Sequence, residues 1–76
     1  MDVPIEVEVD LRRDLRLDAF LKICGVAPTG GIAKLMIQDG AVDVNGRLEL
    51  RRGRRLEAGD EVTVEGVNTF TVVEAK

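Results

Sequence analysis

The hydrophobic period of the chain changes once, near Gly40, and that change sets what it can fold into. Ahead of it, Leu17, Phe20, Leu21 and Cys24 fall at i, i+3, i+4 and i+7, the stripe of a short amphipathic helix, with Asp14 placed to cap its start and Gly25 its end. Asp18 and Lys22 stand at i and i+4 on its side, a weak surface pair. Pro28-Thr29 opens a second helix: Thr29 is the N-cap, Gly30 and Gly31 lie in the first turn, and Ala33, Met36 and Ile37 form the inner face. Gly40 supplies the left-handed exit. From there the period is two. Val42-Asp43-Val44 leads into Asn45-Gly46 and out through Leu48-Glu49-Leu50, and Asn-Gly between alternating stretches marks a hairpin. Turns at Ala58-Gly59-Asp60 and Gly66-Val67-Asn68 precede strands over 61–65 and 69–74, and Ile5-Glu6-Val7-Glu8-Val9 alternates ahead of the helices. The order is strand, helix, helix, then three or four strands, which predicts one α+β domain over 1–76 with a two-helix hairpin packed on a small, mainly antiparallel sheet.

At 76 residues, such a domain buries only about 60% of the surface of its unfolded chain, leaving a thin core and no roomy catalytic cleft. There is no His, Ser, Trp or Tyr, and Cys24 is the single cysteine. Serine triads, histidine acid/base chemistry, Cys/His zinc sites and an internal disulfide are therefore excluded. We expect no enzyme, no metal site, no cofactor and no small-molecule substrate. No apolar run approaches the ~18 residues of a membrane span, no signal segment opens the chain, and a lone thiol suits a reducing compartment. A soluble cytoplasmic protein is expected.

The net charge of −3 argues at face value against a nucleic-acid partner. Its distribution argues otherwise. Residues 1–10, with Asp2, Glu6, Glu8 and Asp10, carry −4, and residues 56–76 also carry −4, whereas 11–46 carry +1 and 47–55 carry +4. Arg51-Arg52-Gly53-Arg54-Arg55, with Arg47 just before, occupies a loop between predicted strands. Clustered guanidinium groups suit phosphate oxygens and gain affinity by counterion release. The alternative is a solvated loop paired with the acids of the terminal strands. Thr29-Gly30-Gly31 is a second candidate, because a helix N-terminus offers free N–H groups, two glycines permit close approach of a phosphate, and Lys34 lies one turn on. The spacing is not that of a nucleotide P-loop, and on spacing alone these glycines read as packing or turn residues. Phe20 and Phe70 are the only aromatics, too few to stack bases, which leaves a phosphate-and-shape reader of folded RNA or duplex. Lys22, Arg12 and Arg13 read as ordinary surface charge, Cys24 as core, and Asn45 as either an RNA contact or a residue needed only for the turn.

Arg16-Leu17-Asp18-x-Phe20-Leu21, then Thr29-x-x-x-Ala33-Lys34-x-x-Ile37-x-x-Gly40-x-Val42-x-Val44-Asn45-Gly46, and finally Gly59-Asp60 resemble the RNA-binding domain named after ribosomal small-subunit protein four. The resemblance covers residues 16 to 65, with flanking strands at both ends, and is strongest to the small stand-alone bacterial members. It implies the αL RNA-binding motif, two helices on a small curved sheet, and a non-catalytic protein that binds structured RNA, rRNA or tRNA-like, in association with the ribosome. It further implies an RNA face at Arg16, Thr29, Lys34 and the Asn45-Gly46 turn. Many members have Ser-Arg-Ser where this chain has Thr29-Gly30-Gly31, so here the arginine loop and the backbone N–H groups are expected to share the contact. The candidate surface is thus Arg16, Thr29, Gly30, Gly31, Lys34, Asn45, Gly46, Arg47, Arg51, Arg52, Arg54 and Arg55, on a monomer. A protein adaptor working through the acidic terminal strands is the other reading.

Overall fold

Leu17, Phe20, Leu21, Ala33 and Ile37, the apolar positions at helical spacing, are fully buried in a computed structural model that describes residues 3–76. They belong to α1 (Leu17–Ile23) and α2 (Gly30–Gln38), whose apolar stripes pack together over one face of a sheet. Val42, Val44, Val62, Val64 and Val72 close the core from that sheet. Asp2, counted with the N-terminal acids, lies outside the described residues.

The sheet contains β1 (Ile5–Val9), β3 (Val42–Val44), β4 (Arg47–Leu48), β6 (Glu61–Val64) and β7 (Asn68–Glu74), in the order β1-β7-β6-β3-β4. Every neighbouring pair is antiparallel except β1 with β7. This is the expected α+β class. The parallel pair sets the two acidic ends of the sequence side by side: Glu6 and Glu61 both stand opposite Thr71, on the face turned away from the core.

Asn45 (φ 53°) and Gly46 (φ 80°) both adopt the left-handed conformation that a two-residue hairpin turn demands. That turn pairs Val44 with Arg47 and Asp43 with Leu48, and the Glu49 N–H continues the ladder to the Val42 carbonyl at 3.0 Å. Side chains alternate across a strand, so Glu49 falls on the core side with Val42, while Leu48 and Leu50 are left exposed. Glu49 is only 8% exposed and is the one buried charged residue among those described.

Four local expectations are corrected. Leu15–Arg16 and Arg55–Leu56 are short strands, β2 and β5, that pair antiparallel as a second sheet, so the arginine run is not wholly loop. Two residues are too few to display a period. Asp14 does not cap α1: the N-cap position is the extended Arg16, with no side-chain cap. The free N–H groups of Leu17 and Asp18 instead donate to the carbonyls of Arg54 (2.9 Å) and Arg52 (3.1 Å). Asp18 pairs with Arg16 at 3.3 Å rather than with Lys22. Cys24, expected in the core, sits half-buried at its margin, where loss of solvent pushes the thiol up to about 11. Thr29 caps α2 as expected, its Oγ1 accepting from the Ile32 N–H at 3.1 Å.

Candidate nucleic-acid interface

The two carbonyls that cap α1 come from the arginine run, and this anchors the run to the helix pair. The consequence is a contiguous basic surface. A Cβ on Gly53 would lie 3.4 Å from a terminal nitrogen of Arg16, so the Arg16 guanidinium rests against the tip of the loop. On its other side Arg16 lines a shallow depression with Asp18, Ala19, Lys22 and Gly30, which joins α1 to the first turn of α2. Arg16, Gly30 and residues 51–55 are thereby brought together, and so is Lys22, which sequence reasoning had set aside as ordinary surface charge. Lys22 lies one turn beyond Asp18 on the same helix face, and that spacing was a signal for it.

Each arginine of this surface except Arg52 has a carboxylate beside it among the described residues. Arg16 faces Asp18, Arg55 faces Asp14 at 3.2 Å, and Arg51 and Arg54 both reach Glu49, at 3.1 and 3.5 Å. The alternative reading of a loop paired with terminal-strand acids is thus corrected, because the partners of the loop among the described residues are Asp14 and Glu49. The Arg51 side chain donates from Nε and one terminal nitrogen to Glu49, and the Arg51 N–H also donates to it at 3.0 Å. Those bonds from Arg51, reinforced by the charge of Arg54, hold the Glu49 carboxyl below the usual carboxylate range despite the opposing effect of burial. Sequence reasoning assigned Glu49 no role. Counting the register outward from Asn45-Gly46 would have placed it on the core side.

Gly30 and Gly31 have neither of the roles that spacing suggested. A Cβ at Gly30 would meet nothing within 4 Å, at Gly31 only the Thr29 hydroxyl at 3.8 Å, and neither has a positive φ. Packing and turn geometry leave both glycines unexplained. Lys34 is half-buried on α2, and Arg47 is exposed on β4.

The Asn45-Gly46 turn is held elsewhere. Asn45 Nδ2 donates to Asp60 at 3.0 Å and its Oδ1 accepts from the Glu61 N–H at 2.9 Å, while the second Asp60 oxygen accepts from the Glu57 N–H at 2.7 Å. Both polar atoms of the Asn45 amide are therefore engaged in joining two turns of the sheet. Asp60, read only as a turn residue, is half of that junction.

A helix hairpin on a mainly antiparallel sheet, with a basic loop docked on the start of α1, is an α+β unit with one polarised surface. The chain belongs to the S4 domain family, whose model matches residues 7–73. Over 70 residues it is 39% identical to the probable ribosome maturation protein RlbA of Bacillus subtilis, an alignment covering 92% of this chain and 94% of that protein.

Proposed function

We propose that this protein is a non-catalytic, monomeric RNA-binding protein of ribosome maturation, docking its basic surface onto folded ribosomal RNA. Arg51, Arg52, Arg54, Arg55, Arg16 and Lys34 contact phosphates, Lys22 joins them, and the first turn of α2 offers backbone N–H donors where Gly30 and Gly31 admit close approach. The observation that carries this reading is the capping of α1 by the Arg52 and Arg54 carbonyls, which seats the arginine loop beside Arg16, the residue that shares a depression with Gly30 of α2. The name of the relative and the family membership support the choice of RNA. Among the described residues, no helix is long and apolar enough to cross a membrane. In-cell crosslinking followed by sequencing of the recovered RNA tests the proposal. Enrichment of a defined ribosomal RNA segment is expected, and recovery of RNA no different from an uncrosslinked control contradicts it.

One observation favours a second reading. Glu6 and Glu61 flank Thr71 in register on the outer face of the sheet, an acidic surface suited to a basic protein partner. Copurification of such a partner that survives nuclease treatment, from a chain without affinity for RNA, would support an adaptor instead.

A further inference from the structure

Arg51 has five N–H donors, and its side-chain bonds to Glu49 use its Nε and one terminal nitrogen, leaving the other edge of the guanidinium facing solvent. Arg54 is held from two directions, its guanidinium by Glu49 at 3.5 Å and its backbone N–H by the Arg51 carbonyl at 3.2 Å. Glu49 itself cannot move aside readily. Its backbone is in the ladder with Val42, its side chain is buried, and its carboxylate receives the Arg51 backbone N–H as well.

We propose that Glu49 is a positioning residue for RNA: its buried carboxylate fixes Arg51 and Arg54 so that their outward edges meet phosphates already aligned. The inference rests on the reading of the arginine loop as the RNA contact. Free arginine side chains lose rotamer freedom when they bind, and a carboxylate that orders them beforehand removes that cost from the binding step. The same carboxylate subtracts a unit of positive charge from the surface. On charge alone, removing it strengthens binding to a polyanion. Positioning and charge therefore make opposite demands on one substitution.

The test is the affinity of the full chain for end-labelled bacterial ribosomal RNA, measured by filter binding for the wild type and Glu49→Gln, each also in an Arg51→Ala/Arg54→Ala background. We expect Glu49→Gln to weaken binding about tenfold in the first background and, in the second, to leave it unchanged or slightly tighter, because Glu49 positions only those two arginines and without them its charge alone acts. Equal or tighter binding by Glu49→Gln in the first background overturns the inference, as does an equal loss in both backgrounds, which would mark a purely structural role. A wild type without salt-dependent affinity overturns the functional reading and this inference together. Should Glu49→Gln not fold, the mobility of the Arg51 Nε–H in the free wild type, read by NMR relaxation, decides the matter. Arg51 should be distinctly more ordered than Arg52, and equal mobility contradicts the proposal.

Discussion

Arg16 and Arg55 stand directly opposite one another in the β2–β5 pair, two like charges at a position where cross-strand neighbours interact most strongly. Asp18 and Asp14 relieve the repulsion, one on each arginine. Asp14→Asn removes the relief from Arg55 without touching the helix. Both partners of that ion pair are largely exposed, so the cost is expected to be only about 0.2–1 kcal/mol at low salt and to vanish as salt screens the arginines. Urea denaturation of both proteins across a salt series measures it.

The Asn45 latch separates two contributions to the hairpin. Asn45→Gly keeps the left-handed turn but loses the bonds to Asp60 and Glu61, whereas Asn45→Ala loses the bonds and also strains the backbone at φ 53°. The expected losses are roughly 1 kcal/mol for glycine and roughly 2–3 kcal/mol for alanine. Denaturant midpoints of the two variants give the difference directly.

Gly30→Ala and Gly31→Ala meet open space or an ordinary contact, so each is expected to stabilise α2 by about 0.5 kcal/mol. RNA affinity is expected to move the other way and fall several-fold. A pair of variants that melt higher and bind unchanged would remove the start of α2 from the interface.

Acid stability follows from Glu49 and, at the surface, from Asp10, whose carboxyl is also lowered, by its hydrogen bonds from Arg12. A carboxyl lowered in the folded state contributes stability that is present above the ordinary carboxylate value, about 4.3 for glutamate, and lost as pH falls through the folded one. The urea midpoint should therefore drop below about pH 4, and less steeply in Glu49→Gln. At the alkaline end Cys24 acts in the opposite sense. With its folded value near 11, the unfolded thiol ionises first, and stability declines as pH rises above about 9. Slow alkylation of the native protein at pH 8, made fast by urea, checks the same burial.

What could be read from the sequence was what repeats. The helical stripes of Leu17 to Leu21 and Ala33 to Ile37, the Asn45-Gly46 turn and the alternating strands all show a period or a turn signature, and all appear in the fold. Backbone groups have no letter in a sequence, so the capping of α1 by loop carbonyls was hidden, and the Asp14 cap stood in its place. β2 and β5 are too short to alternate. The candidate site was legible as charge, because Arg51 to Arg55 are contiguous. Its organisation was not, because Glu49 and Asp14 act on those arginines, and Asp18 on Arg16, through register and side-chain reach.

The central claim is that the arginine loop carries the RNA contact. It is tested by ribosomal RNA binding across a salt series for the wild type and for Arg51→Gln/Arg52→Gln/Arg54→Gln/Arg55→Gln. Glu49→Gln is included in the variant so that no buried carboxylate is left unpaired. A wild type whose affinity falls steeply with salt, beside a folded variant that binds at least about a hundredfold more weakly with a shallower slope, is the expected result. A folded variant that binds within about threefold of the wild type at every salt concentration would contradict it.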